Sequence, residues 1–577
     1  MHELRRFLVD YDMAMLRALA QNRGTKLSTN VQTEAADQLA AELLGPLSVR
    51  TALARLGTEA RQALERLVAV GGRMPVLQFE RSYGQVRPIG PGRLERESPW
   101  QDPANAAEEL WYAGLVFFGF EQEEGELGGY AFVPGDLLPL LPPAKTVPPT
   151  FDLEVLTGPP QAPVEGESGR QFVHDLFVYL VHVQNRDVQT YADGRLAQRD
   201  LKALATRLVD DDHRRLDLVR HLAERLGFVE RQEGLLRLAA DPVKEWLTAS
   251  TTRRLAALQA GWREDPTWND LCRVPSLVCD QEVPWLQHYD PVAVRREILS
   301  LLARCPEDHW WSLASFVQAV KATQPDFQRP NADYKRWYLR DAQSGDYLSG
   351  FESWDRVEGA LLADVVRGPL HWLGVVTVAE DAGGVACHLT KSGSRLLGLA
   401  AEEAEEVQPP PILVHPDFRV EVPAPISLYA CFQLERFAEP LDPTSRGPTQ
   451  ETTWAYRLAV GALGCALERG IRVEQILAFL RQASGDRVPA NVAGQMRLWA
   501  GRFGQVQLAE VVILTAKSER VLKELSVLPE TRGLIGQLLT PTTALVRKQD
   551  LPRLRKALAE LGFFASSEVE GDAIEHG

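Results

Sequence analysis

The stretch HLAERLGFVERQEGLLRLAADPVKEWL, residues 221–247, changes its hydrophobic period in the middle. Up to Leu226 the apolar residues fall at helical spacing. After Gly227 they alternate, through a polar turn into LLRL (235–238), and DPVKEWL (241–247) then returns to leucines behind a polar cap. Working outward, the same order occurs twice more. LWYAGLVFF (110–118), YAFV (130–133) and PGDLLPLL (134–141) form one copy, and GPLHWLGVVTV (368–378), VACHL (385–389) and TKSGSRLL (390–397) another. A partial fourth copy, LRKALAELGFFASSEVEGD (554–572), ends the sequence. Each reads as a helix that stops at a glycine and gives way to a hairpin. Gly114, Gly227 and Gly374 are expected at positive φ, which glycine adopts cheaply.

Helix, glycine and hairpin in that order is how a winged-helix unit closes, so the sequence predicts an α+β, predominantly helical, multi-domain protein with tandem winged-helix-like units. Residues 1–72 read as helices ending at glycines, and they group with the first hairpin as a domain over 1–142. The proline-rich stretch PLLPPAKTVPPTFDLEVLTGPPQAP (139–163) predicts a linker over 143–168. Further winged-helix-like domains are expected over 169–262 and 285–403, with helical periodicity lost around 262–290. The run Glu402–Glu406 and the prolines at 409–411 precede a last domain over 408–566 and an acidic tail over 567–577.

Composition narrows the class. An apolar fraction of 45% and a charged fraction of 24% are those of ordinary globular chains, which removes large-scale disorder. No apolar run reaches the roughly 18–20 residues of a membrane span, and the N-terminus MHELRRFLVDYD lacks a signal-peptide core, so the chain is expected in the cytoplasm with no membrane partner. Cys272, Cys279, Cys305, Cys387, Cys431 and Cys465 show no zinc-type spacing and read as free thiols, and neither metal nor cofactor is expected. The dipeptide Gly-Lys is absent, so no phosphate-binding loop of the Gly-Lys-Ser/Thr type exists. Asp210-Asp211-Asp212-His213 reads as a solvated turn. With no other catalytic constellation, the sequence predicts a chain that is not an enzyme. A formal charge of −15 requires any DNA site to be a local basic patch.

The C-terminal part begins PILVHPDFRVEVPAPISLYACFQLERFAEP (411–440), an alternating strand broken at His415-Pro416-Asp417 and then an amphipathic helix. TTWAYRLAVGALGCALERG and VEQILAFLRQASG read as helices stopped by Gly470 and Gly485, VAGQMRLWAGRFG as another, and VQLAEVVILTAKSE as a strand. In the order LVHPDF, LERFAE, ALERG, ILAFL, VPANV, LTAKSE, residues 411–565 resemble the N-terminal, damage-recognition-like domain of XPB-type DNA helicases. Segments 84–115 and 357–399 resemble bacterial helicase-associated proteins in which that module follows winged-helix units. The resemblance implies attachment to DNA repair, remodelling or defence machinery, with DNA and a separately encoded helicase or nuclease as partners. The helicase motor lobes are missing from the resemblance.

Candidate DNA contacts are basic residues beside aromatics or on helix faces. Arg81, Arg87, Arg93 and Arg96 cluster with Tyr83 and Trp100. Arg195, Arg199 and Lys202 fall on one side of an expected helix. Arg497, Arg502, Lys517, Arg520 and Lys523 bracket a helix and a strand, and Arg547 and Lys548 sit before the closing helix. The sequence thus predicts a non-catalytic DNA-associated accessory protein, the alternatives being a protein–protein scaffold whose winged helices do not bind DNA, or a transcriptional regulator.

Overall fold

The structure is a computed structural model that describes residues 3–123, 126–143, 150–158, 167–191, 194–208, 212–280, 284–329, 331–381, 384–401, 408–441, 453–505 and 511–564. The acidic run 402–406, residues 159–166 of the connector, Asp210, Asp211 and the acidic tail lie outside them. The fold is α+β and multi-domain, predominantly helical, with small sheets whose strand pairs among the described residues are all antiparallel. Two compact units divide the chain. One holds residues 1–414, 419–457 and 483–485, the other 415–418, 458–482 and 486–577.

Five helices open the first unit: Leu4–Val9, Met13–Arg23, Gln32–Leu43, Pro46–Arg55 and Thr58–Ala69. Local chemistry sets their ends. Asp12 accepts the Met15 amide at the start of the second, Gly24 closes it in the left-handed region, and Pro46 opens the fourth. Leu16, Leu19, Leu39 and Leu43 are buried in one core with Tyr112, Phe117 and Phe132, each fully buried apolar side chain contributing about 1.5–3 kcal/mol.

The repeat is real at the level of individual hydrogen bonds. Gly114, Gly227 and Gly374 have φ of +64°, +69° and +65°. The next amide donates to the carbonyl five residues back, Leu115 to Leu110, Phe228 to Ala223 and Val375 to Leu370. Each glycine amide donates three back, to Trp111, Glu224 and His371. That bond pair closes a helix whose C′ residue is left-handed. Gly562 repeats it with φ of +80°.

Hairpins follow the first three glycines: Phe117–Glu123 with Glu126–Phe132, Val229–Gln232 with Leu235–Leu238, and Val376–Asp381 with Gly384–Leu389. An earlier strand adds to the first and third hairpins, Arg73–Pro75 and Trp310–Ser312, and the bridge Gln189–Leu235 replaces it in the second. In the third copy the helix before the glycine widens at Asp355–Gly359 and Val366–Leu370. The second widening contains Pro369, which has no amide to donate to the regular ladder.

The loss of periodicity around 262–290 marks a buried polar knot. Asp270 accepts from the indoles of Trp262 (3.2 Å) and Trp268 (3.0 Å) and from Arg295 Nε (2.7 Å). The guanidinium of Arg295, buried, also donates to the carbonyls of Trp262, Asp265 and Trp268. Cys272 and Cys279 are joined by a disulfide, which corrects the expectation that all six thiols are free. They lie seven positions apart, and the turn into strand Leu277–Cys279 brings their Cα atoms to 5.4 Å.

In the C-terminal part, Leu413–Val414 and Arg419–Val422 form the strand broken at the His-Pro-Asp turn, with Phe418 at φ +70°. Trp454–Arg457 is a third strand of that sheet, not the start of a helix, and the helix begins at Val460. The second unit continues with helices Val473–Ser484 and Ala490–Arg502. Its last part is strand Val511–Thr515, helix Glu519–Val527, strands Leu538–Thr540 and Thr543–Arg547, and helix Leu551–Glu560. The strand Thr543–Arg547 lies centrally, and Leu525, Val546, Leu554 and Leu558 form the core beneath it.

Candidate nucleic-acid interface

The N-terminal arginines divide by what they hold. Arg81, on helix Val76–Tyr83, forks onto Asp326 with two contacts of 2.9 Å, and its guanidinium lies 4.4 Å from the Phe351 ring centre. Arg87 clamps Glu108 through Nε and Nη2, both at 2.6 Å. Burial alone would push the Glu108 carboxyl up, but the Arg87 side chain and the Ala104 and Arg87 amides outweigh it and hold the carboxyl below its ordinary value. Withdrawing Arg87 toward a phosphate would strand a buried charge. Arg93 pairs with Glu97 at 2.7 Å and Arg96 donates to the Gly92 carbonyl at 3.1 Å, both on the exposed helix Pro91–Glu97. Tyr83 packs on Phe79, and Trp100 packs against the N-terminal core.

The second group does not share one helix. Arg199 and Lys202 lie on Gln198–Ala205, whereas Arg195 precedes it, next to the Thr190–Leu196 bridge. The expected single helix is interrupted there because the chain turns back on itself, with the Arg195 carbonyl accepting the Tyr191 amide. Arg199 pairs with buried Asp200 at 3.3 Å, which also meets His182 at 3.0 Å. Burial holds the His182 ring below its ordinary pKa despite Asp200.

The helices that lead into the hairpins are engaged inwardly. On His213–Arg225, Arg214 meets Asp364 (2.5 Å), buried Arg215 meets Asp175 (2.7 Å) and Arg225 meets Asp265 (3.8 Å), while Asp212 caps the start. Helix Ala106–Tyr112 carries no basic residue and buries Glu108. In the third copy Glu358 is buried against Arg329 (2.6 Å).

The last unit differs in charge. Over 415–418, 458–482 and 486–577 the sequence carries 15 Lys and Arg against 14 Asp and Glu, a balance of +1, or +5 up to residue 564 ahead of the acidic tail, while the whole chain has 63 against 78. Arg497 is held by Glu474 (2.7 and 3.1 Å) and Lys523 by Glu519 (2.6 Å). Arg502, Lys517, Arg520, Arg547 and Lys548 are exposed.

Arg547 is registered opposite Val511, and Thr515 opposite Thr543, so Lys517 lies past the other end of the sheet. About five strand residues, roughly 17 Å, separate the two basic ends. The exposed Arg532, Arg553, Arg555 and Lys556 are further cations of the unit. The last three were readable, because Leu554, Ala557 and Leu558 mark the buried face of their helix. Among the described residues no group of three His, Cys, Asp or Glu side chains could hold a metal, and no helix is long and apolar enough to cross a membrane.

Residues 412–540 match the helicase conserved C-terminal domain, a segment that runs through both compact units. A search of the curated proteins finds no match. The domain links the chain to helicase-related proteins and to a DNA-related role. It also corrects the expectation that the chain is not an enzyme, since helicase-family proteins usually are enzymes and nothing observed marks this one as non-catalytic. That expectation rested on linear motifs, and catalytic groups are assembled in space from distant residues.

Proposed function

We propose that the chain acts on DNA within cytoplasmic helicase-type machinery of repair, remodelling or defence, contacting the duplex through its C-terminal unit and docking a helicase or nuclease. The carrying observation is charge segregation: the C-terminal unit balances at +1, and at +5 ahead of its acidic tail, on a chain of −15, with Arg502, Lys517, Arg520 and Arg547 exposed. Phosphate neutralisation needs such a patch. We further read residues 408–566 as an XPB-N-terminal-like module, on the motif order already quoted. We read 1–142, 169–262 and 285–403 as winged-helix-like domains, supported by the shared helix closure and hairpin.

A scaffolding role for these three domains is favoured by one observation. A winged helix presents its recognition helix to the major groove, yet the corresponding helices here spend their arginines on Asp175, Asp364 and Asp265, or bury carboxylates. The test is duplex affinity across a salt series. Arg502→Glu with Arg547→Glu should weaken binding on any sequence and flatten the log–log salt slope by about two. Absence of duplex binding at low salt would leave only the scaffold.

A further inference from the structure

We infer that the first unit carries a separate site for single-stranded DNA on the open face of the small sheet Leu277–Cys279, Leu339–Asp341 and Tyr347–Leu348. The inference rests on the reading of the chain as a DNA-acting protein and adds a second site of different specificity. The three strands are antiparallel with Leu339–Asp341 central. Leu277, Leu339 and Leu348 are buried on one face. Alternation turns Val278, Arg340 and Tyr347 to the other, with Tyr338 just ahead of the strand joining them. Tyr338 is 56% exposed and Tyr347 64%, two of the three exposed tyrosines among the described residues, and their ring centres are 6.4 Å apart at 83°.

The residue before Tyr338 is anchored in the fold. Trp337 stacks on Trp285 at 4.7 Å and 15°, Tyr289 meets it edge-on, and the Arg329 guanidinium lies 4.0 Å from its ring centre while bound to buried Glu358. Two open tyrosine rings set edge to face are what unpaired bases stack on, since every base has a π-face. A duplex hides those faces. Cations for the strand's phosphates stand beside the rings: Arg340, and the exposed Lys335 and Arg336. Arg340 meets Asp280 at 2.7 Å and Arg336 meets Asp333 at 2.9 Å. Both are solvent-accessible pairs that a phosphate can replace at little cost. Tyrosine and arginine also serve protein interfaces, but lysine is depleted from them, so the exposed Lys335 three residues before Tyr338 favours a strand whose phosphates it can meet.

The test uses the full chain with fluorescently labelled dT20, rU20 and a 20-base-pair duplex. Tyr338→Ala and Tyr347→Ala should each weaken dT20 binding roughly tenfold or more and leave duplex affinity unchanged, while Tyr338→Phe with Tyr347→Phe, which keeps both rings, should bind dT20 as the parent does. Failure of the parent to bind dT20, unchanged affinity in the alanine variants, or an equal loss on duplex would overturn the site and leave the face to a protein partner. Tighter binding of rU20 than of dT20 would overturn it in favour of RNA. Tyrosine-dependent dT20 binding without any duplex binding would keep this site and remove the C-terminal duplex reading.

Discussion

Substituting alanine at Gly374 should destabilise the third repeat far more than the same change at Gly227 destabilises the second, although the two glycines have nearly the same φ. The left-handed conformation costs an L-residue about 1–2 kcal/mol at either position. At Gly227 a Cβ would meet nothing within 4 Å, so strain is the whole cost. At Gly374 it would lie 2.9 Å from the Cα of Gly169 and 3.2 Å from its nitrogen. Those are backbone atoms of the buried helix Glu167–Asn185, which has no rotamer with which to yield. Overpacking adds about 1–3 kcal/mol, giving about 2–5 kcal/mol in all. Gly114 should fall between, because its Cβ would meet the movable Leu43 Cδ1 at 3.0 Å.

Asparagine separates the two causes, since it tolerates the left-handed region. Gly227→Asn should be nearly neutral, whereas Gly374→Asn should remain costly. Several cooperative units make a single unfolding free energy ill-defined. The measurement is therefore native-state hydrogen exchange at the hairpin amides of Val229–Gln232 and Val376–Asp381, each read against the other. Equal losses at Gly227 and Gly374, or full rescue of Gly374 by asparagine, would refute the close-approach argument.

Other expectations concern the buried polar groups. Arg295→Met should cost about 3–5 kcal/mol by leaving Asp270 charged and unpaired in the core, and Arg295→Met with Asp270→Leu should recover part of that in denaturant unfolding. Arg81→Ala should destabilise the first unit in thermal denaturation while Arg93→Ala stays within about 0.5 kcal/mol, and neither should change duplex affinity. Burial lowers the pKa of His182 and of His371 in the fold. The unfolded chain therefore takes up protons first, and the stability present above about pH 6.5 should be lost as pH falls through the folded values. His182→Gln should shallow that acid limb, and a thermal melt series from pH 8 to 5 measures it.

Local chemistry was legible in the sequence wherever it decides the structure alone. The three glycines announced themselves because the closing turn needs positive φ and the residues after it alternate. Trp454–Arg457 did not, since four residues of strand run without a breaker into the helix at Val460, and only pairing with Arg419–Val422 makes them extended. The arginines show the same limit at the level of function. Arg81 and Asp326 are 245 positions apart, so no local pattern marks that fork. Arg93 with Glu97 is one helical turn apart and could be read directly.

Net charge misled by averaging. The first unit uses many of its arginines internally, on Asp326, Glu108, Asp175, Asp364 and Asp270. Its surplus acid sets the sign of the whole chain, which hides the near-neutral balance of the last unit and the excess of base ahead of its acidic tail. A desolvated arginine must bring its carboxylate with it, so a count restricted to one compact unit, with buried pairs removed, describes what DNA would meet better than the total of −15.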